Sequence, residues 1–156
     1  MARRPHVRFL IERDILAALA IDGFTSLPTI FEGDFVRYIR KRHSYRALAI
    51  ADHKNRLESY LILKIDRDGV YADRMAAHPD FGEELAWSFY LRDLQEAVRS
   101  DQIKRIVLQV EEHELEQQLF FQQHGFLATA NIREASESNT DIIVLEFGKD
   151  LVQHMA

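Results

Sequence analysis

Two carboxylates occupy a position at which many proteins bind an anion. The stretch A-H-P-D-F-G-E-E-L, residues 77–85, contains a proline turn and then the start of a predicted helix, where Glu83 and Glu84 fall. Free backbone N–H groups and the helix dipole attract phosphate or carboxylate groups there. Asp80 and Glu83 have the spacing of a capping box. We therefore predict that the protein's own carboxylates satisfy the amides at this helix start.

A second group of reactive side chains lies between a predicted strand and a predicted helix. Its members are His113 and four glutamates, Glu111, Glu112, Glu114 and Glu116. Such a group could serve as a base or bind a cation. The paired-histidine spacing of protein zinc sites is absent, so we expect no metal here and interpret the group as a solvated strand end.

A basic segment, Y-I-R-K-R-H-S-Y-R, covers residues 38–46 and follows Arg37. Cations with interleaved aromatic residues can bind RNA or phosphates. Cations at the end of a helix also offset its dipole, and we favour this second interpretation. A partner with an acidic segment is a third option for this surface.

Composition restricts the class of protein. The chain has 156 residues, of which 47% are hydrophobic and 29% charged, and this predicts one domain over residues 1–156 with a core at about 7–147. The absence of cysteine excludes disulfides and thiolate chemistry. The net charge of -5 argues against DNA as a partner. The apolar run at 15–21 is too short to span a bilayer, so we expect a cytoplasmic protein without a membrane partner. The oligomeric state is left open.

Hydrophobic periodicity predicts a mixed α/β protein of about seven strands and about four helices, with an antiparallel meander first. The predicted strands cover residues 7–11, 45–51, 57–65, 70–77, 103–110, 126–133 and 142–147. The predicted helices cover 12–21, about 33–42, 80–99 and 114–124, and a polar loop is predicted at 135–140.

This order, with H-P-D-F before the long helix and L-F-F-Q-Q-H-G-F after the next strand, resembles the GNAT acetyltransferase superfamily. The nearest resemblance is to its ribosomal-protein-alanine N-acetyltransferase branch, over residues 7–147. The resemblance implies a GNAT fold with a twisted mixed sheet, acetyl-CoA as cofactor, and acetyl transfer to an amine. In the family, the cofactor's pyrophosphate binds to amides at the start of the long helix. A base takes the proton of the amine, and an acid protonates the leaving thiolate.

The cofactor loop of the family reads Arg/Gln-x-x-Gly-x-Gly/Ala, but here it reads G-E-E-L-A-W. The expected basic residue falls at Gly82, and the expected glycines fall at Glu83, Leu85 and Trp87. Repulsion between a pyrophosphate and the two glutamates would amount to roughly a few kcal/mol. We predict that Trp87 plugs the cofactor cleft. The family positions for cofactor contact are Met75, Ala76, Ala77, Gly82, Glu83, Leu85, Trp87 and Glu114.

The catalytic positions have changed as well. The family base is the Glu of a Leu-Glu-Val motif, which here is L-Q-V with Gln109 at its centre. The family acid is the Tyr of a Leu-Tyr pair, which here is F-F and ends at Phe121. Neither an amide nor a phenyl ring performs these roles. Glu111 shares the predicted strand face of Gln109 and is the candidate substitute base.

Three hypotheses follow. The first is a GNAT-like protein with weak or lost acetyl transfer that acts by binding a protein or a small molecule. The alternative is an active N-acyltransferase for a protein N-terminus or a small amine, with a rearranged pyrophosphate loop and Glu111 or water as base. A third is a subunit whose partner supplies the missing groups.

Overall fold

The computed structural model describes residues 4–134 and 139–153. Its seven strands form one mixed sheet in the order β1-β2-β3-β4-β5-β7-β6, which confirms the predicted mixed α/β class. The strands are β1 (His6–Phe9), β2 (Tyr45–Ala51), β3 (Leu57–Asp66), β4 (Gly69–Ala77), β5 (Arg105–Glu111), β6 (Leu127–Ile132) and β7 (Ile142–Gly148). The helices are a 3-10 turn (Glu12–Asp14), α1 (Ile15–Asp22), α2 (Glu32–Arg40), α3 (Glu83–Arg99), α4 (Leu115–Gln123) and α5 (Lys149–Gln153).

The chain divides into two compact units. Unit 1 contains the described residues up to Asp66 together with Asp73–Asp93, and unit 2 contains Arg67–Ala72 and the described residues from Leu94 onward. The prediction of a single domain stays a prediction. In the part of the chain that the structure describes, no helix has the length and apolarity needed to cross a bilayer.

Unit 1 is built on the antiparallel strands β1, β2 and β3. His6 pairs with Ala51 across β1 and β2, and Tyr45 pairs with Lys64 across β2 and β3. Alternation of side chains along these strands directs one face toward α1 and α2. The resulting apolar core contains Leu10, Ile15, Ala18, Ile21, Phe35, Tyr38, Ala47, Ala49, Tyr60, Ile62 and Ala76.

A buried ion pair crosses unit 1 between the last residue of α1 and the middle of β4. The carboxylate of Asp22 accepts hydrogen bonds from Nε of Arg74 at 2.8 Å and from Nη2 at 3.0 Å. Tyr60 donates its hydroxyl to the same carboxylate, and Arg74 also donates to the carbonyl of Pro28 at 2.7 Å. Burial, and then the bond to Asp22, raise the pKa of Tyr60 well above its ordinary value. The phenol therefore remains a donor.

Unit 2 contains the start of β4 beside β5. The two strands are parallel, with Val70 opposite Ile106 and Tyr71 opposite Val107. Gly69 has φ 149°, and a Cβ at this position would lie 2.1 Å from the carbonyl oxygen of Arg105. Only glycine permits this approach, because any other residue would collide with the β5 backbone.

β7 completes unit 2 between β5 and β6, antiparallel to both. The pairing of β6 with β7 is interrupted by a bulge between Ala128 and Ala130, and most of β6 is exposed. The unit's buried side chains include Leu94, Val98, Ile106, Leu108, Phe121, Phe126 and Leu145.

Most predicted elements are confirmed within three residues of their bounds, and β2 is confirmed at both ends. The short helix α5 was not predicted. Of the polar loop predicted at 135–140, residues 135–138 lie outside the described residues. The third predicted helix begins at Glu83 rather than at Asp80, which matters for the site described below.

Replacement of Asp22 by asparagine tests the buried ion pair. The side chains of Arg74 and Asp22 are 9% and 8% exposed, so the variant leaves a desolvated guanidinium without its counter-ion. We expect the free energy of unfolding to fall by about 3 kcal/mol, measured by urea denaturation.

The matched control is Glu12→Gln, which breaks the pair of Glu12 with Arg40. Those side chains are 53% and 68% exposed, so the expected loss is about 1 kcal/mol or less. Equal small losses in both variants would contradict a structural role for the buried pair.

Candidate functional site

The start of α3 has open backbone amides. Phe81 and Gly82 donate their N–H groups to the carbonyl of His78, at 2.9 and 3.0 Å, so the chain turns tightly before the helix. The first amide bonded in helical fashion is that of Ala86, which donates to Gly82 at 3.1 Å. Among the residues that the structure describes, none accepts a hydrogen bond from the three preceding amides, those of 83–85. These amides are therefore available to an anion.

Gly82 directly precedes these amides and has an unusual backbone conformation. Its φ is +90°, and no atom lies within 4 Å of the place where a Cβ would be. A positive φ of this kind is accessible to glycine at little cost. Gly82, where the resemblance predicts a basic residue, thus shapes the turn before the helix.

The predicted capping box is wrong. Asp80 lies outside the helix, its side chain is 93% exposed, and its carboxylate is 3.8 Å from Nδ1 of His78. Glu83 is the first helical residue and is exposed, as is Glu84. The spacing failed because the turn ends at Gly82 and not at Asp80. The site therefore combines free amides with two nearby negative charges.

The end of β4 is held in place beside this helix start. Ser59 donates its hydroxyl to the carbonyl of Ala76 at 2.8 Å, and Tyr90 donates its own to Ser59 at 3.1 Å. Burial strongly raises the pKa of Tyr90, so this phenol remains protonated and acts as a structural donor. The N–H of His78 donates to the carbonyl of Glu58 at 2.8 Å. The contact of Tyr90 with Ser59 was not predicted, because no motif connects residues so distant in the chain.

The other residues of unit 1 that were predicted to contact the cofactor differ in exposure. Met75 is half-buried and Ala77 is buried, while Leu85 is 47% exposed. Trp87 is half-buried, and its ring meets that of Tyr90 edge to face at a centroid distance of 6.4 Å. That Trp87 plugs a cofactor cleft stays a prediction.

Gln109 and Glu111, at the end of β5 in unit 2, lie on one face of the strand, as predicted. Gln109 is exposed and Glu111 is half-buried, while Val110 between them is 4% exposed. Phe121 has a different environment. Its ring is 3% exposed and lies between Phe120, at 5.4 Å, and Phe126, at 5.6 Å. Phe121, which the resemblance places at the family's acid position, is therefore a core residue.

His113 and two of the four glutamates, Glu111 and Glu114, form a compact group at the end of β5. Nε2 of His113 is 3.3 Å from Oε2 of Glu111. Potential ligand atoms of Glu111, His113 and Glu114 all lie within 4.8 Å of one another. Glu114 precedes α4, and its side chain does not cap that helix. Such a group can attract a cation or a protonated amine, and Glu111 can accept a proton.

No family model matches the sequence, and no curated protein matches it. Solved structures do match. The ribosomal-protein-S18-alanine N-acetyltransferase of Escherichia coli has a TM-score of 0.77 at 16% identity, over 92% of this chain and 93% of that one. Mutant forms of the spermidine/spermine N-acetyltransferase of Vibrio cholerae give 0.79 at 12% identity, over 97% and 98%. Ard1 of Thermoplasma volcanium gives 0.76 at 13% identity, over 94% and 98%.

These likenesses show that the chain has the fold of the GNAT N-acetyltransferases, which confirms the resemblance found in the sequence. The ribosomal-protein-alanine enzyme is among the similar structures.

Phe121→Tyr tests whether this buried position, where the resemblance predicts an acid, accepts a hydroxyl. We expect the variant to lose about 1–3 kcal/mol of unfolding free energy, because the new hydroxyl would be desolvated among aromatic rings. The measurement is denaturant unfolding. Phe120→Tyr is the control, since Phe120 is only half-buried, and a change within about 0.5 kcal/mol is expected. Unchanged stability of Phe121→Tyr would show that the site can hold a phenolic acid.

Proposed function

We propose that this protein binds an acyl-CoA, with acetyl-CoA as the first candidate, and that it transfers the acetyl group only weakly. The observation that carries the proposal is the open start of α3, where no residue that the structure describes accepts a hydrogen bond from the amides of 83–85 and a Cβ on Gly82 would meet open space. An unfilled helix start of this kind binds a phosphate through N–H groups and the helix dipole.

The backbone fits a pyrophosphate better than the side chains do. The amides of 83–85 would hold the phosphate oxygens, while Ala76 and Ala77 bring β4 to the turn. Glu83 and Glu84 oppose the same ligand by like-charge repulsion, which is partly screened because both carboxylates are exposed. Affinity for the cofactor is therefore reduced but retained.

The proposed weakness of acetyl transfer rests on two residues of unit 2, Gln109 and Phe121. Acetyl-CoA supplies an activated thioester when it is bound, and an amine must lose a proton to attack it. Gln109 carries an amide, which cannot take that proton, and Phe121 has no proton to give to a leaving thiolate. Loss of a general base costs about a hundredfold or more in rate.

A second candidate is an active N-acyltransferase in which Glu111 is the base. The observation that favours it is the 3.3 Å approach of His113 to Glu111 within an acidic group, which would attract a protonated amine and take its proton. The E. coli neighbour acts on a ribosomal-protein alanine, and the V. cholerae neighbour on spermidine or spermine. An N-terminal alanine peptide and spermidine are therefore the first acceptors to test.

Calorimetric titration with acetyl-CoA at low salt tests the binding proposal. We expect weak binding by the parent protein and about tenfold tighter binding by the double variant Glu83→Gln, Glu84→Gln, since two repulsive charges are removed while the shape is kept. The difference in affinity between the parent and the double variant should become smaller as salt is added.

The matched control is Asp93→Asn, Glu96→Gln, which removes two exposed charges from the same helix far from its start. Its affinity should equal that of the parent. If neither the parent nor either variant binds acetyl-CoA, the proposed function is wrong.

Gln109→Glu tests the account of weak transfer. Because Gln109 is exposed, the variant should fold normally, and we expect its kcat for release of CoA thiol to rise about tenfold or more with one of the two acceptors. Gln122→Glu, an exposed change on α4, is the control and should leave the rate unchanged. If the parent already turns over rapidly and Glu111→Gln abolishes that activity, the second candidate function is correct instead.

A further inference from the structure

A cavity of about 740 Å³ lies in unit 1 at the ends of β1, α2 and β3 and the start of β2. Its floor is buried and fixed, because Leu10 donates its N–H to the carbonyl of Ala47 at 2.9 Å and Tyr38 is only 7% exposed. We name it the β1–α2 cavity. Its other lining residues used below are Phe9, Ile11, Glu12, Arg40, Arg42, Tyr45, Arg46 and Ile65.

The cavity is positively charged in a chain that carries a net charge of -5. Three arginines line it against one glutamate. Arg40 is already engaged, since its Nε is 2.7 Å from Oε1 of Glu12. Within residues 4–134 and 139–153, neither Arg42 nor Arg46 has an acidic partner. Two guanidinium groups thus remain for an external anion.

The other part of the lining is apolar. Phe9 is 66% exposed and Ile11 is 39% exposed, and both precede the first helical turn of the chain. Ile65, near the end of β3, contributes a third apolar side chain. Exposure of large apolar groups around one cavity favours a ligand that covers them.

The helix dipole does not account for the two free arginines. The cations of the last turn of α2 are Arg37 and Arg40, whereas Arg42 and Arg46 lie after the helix has ended. Two carbonyls at this end already have backbone partners, since Lys41 donates its N–H to Arg37 and Tyr45 donates its N–H to Lys41, both at 2.9 Å.

Stacking of RNA bases fits poorly. The rings of Tyr38 and Tyr45 pack edge to face at 4.9 Å, and Tyr38 also packs against Phe35. These aromatic residues are held in the core, so they do not form an exposed platform for successive bases.

We propose that the β1–α2 cavity binds a small amphipathic anion. Its carboxylate or phosphate head would pair with Arg42 and Arg46, and its apolar body would lie on Phe9, Ile11 and Ile65. Guanidinium groups suit such heads, and the volume is typical of small-molecule sites. The site is separate from the α3 start, because Glu58, which holds His78, lies at the other end of β3, about 23 Å from Ile65 along the strand.

NMR titration of the ¹⁵N-labelled protein with decanoate, below its micelle-forming concentration, tests this proposal. Amide shifts are expected at Ile11 and Arg46 and not at Glu84. Decanol and acetate serve as probes of the body alone and the head alone. The affinity of each should be lower than that of decanoate by a factor of about ten or more, because each makes only part of the contacts.

Two variants separate the contributions. The double variant Arg42→Gln, Arg46→Gln should bind decanoate with an affinity reduced about tenfold or more, and its affinity for decanol should be unchanged. Phe9→Ser should reduce the affinity for both ligands. Lys54→Gln, Arg67→Gln removes two exposed cations elsewhere and should change nothing.

Three results would overturn the proposal. Decanol binding as tightly as decanoate would show that the arginines select no head group. An unchanged affinity for decanoate in Arg42→Gln, Arg46→Gln would also show that the arginines select no head group. Binding to vesicles of phosphatidylglycerol without binding to free decanoate would assign the cations to a membrane surface.

Discussion

The geometry of unit 1 depends on how the charge of Arg74 is neutralised away from water. Its guanidinium has the Asp22 carboxylate, the Tyr60 hydroxyl and the Pro28 carbonyl as partners. A buried cation tolerates little displacement from such partners, because any lost bond leaves it desolvated. The end of α1, the loop after it, β3 and β4 are therefore tied to one point. Since Met75 follows directly, the last residues of β4 reach the turn before α3 from a fixed origin.

At the start of α3, the backbone and the side chains contribute differently to the candidate anion site. The free amides at the start of α3 result from the turn at His78 and the positive φ of Gly82, not from any acidic or basic residue. Glu83 and Glu84 change the charge of the site without closing it. In unit 2 the two positions predicted to be altered catalytic residues differ in burial. Gln109 is exposed and can be exchanged at little cost to folding, whereas Phe121 is part of the aromatic core.

Local patterns predicted local structure well. The apolar run of β2 and the Asp-Gly turn before β4 gave bounds close to those observed, because a short apolar run and turn chemistry both act within a few residues. The capping box failed because spacing carries no information on the φ of Gly82. Helix α5 was missed because five residues show no clear period.

The same local patterns could not predict contacts between residues that are far apart in the chain. The contacts among Ser59, Ala76 and Tyr90 join three elements, and the β1–α2 cavity joins Phe9 to Arg46 and Ile65. The sequence favours a helix end for the basic segment, and Arg37 and Arg40 do lie in the last turn of α2. The apolar residues that line the cavity with Arg42 and Arg46 come from distant parts of the chain. Only the register of β1, β2 and β3 places them together.

The bulge in β6 has a consequence for the behaviour of this protein at high concentration. β6 is the last strand of the sheet, and a regular open edge is a template on which another chain can add a strand. The break in register between Ala128 and Ala130 interrupts the even ladder of donors and acceptors that such addition requires. A single irregular step thus makes this edge of the sheet a poor template for edge-to-edge aggregation.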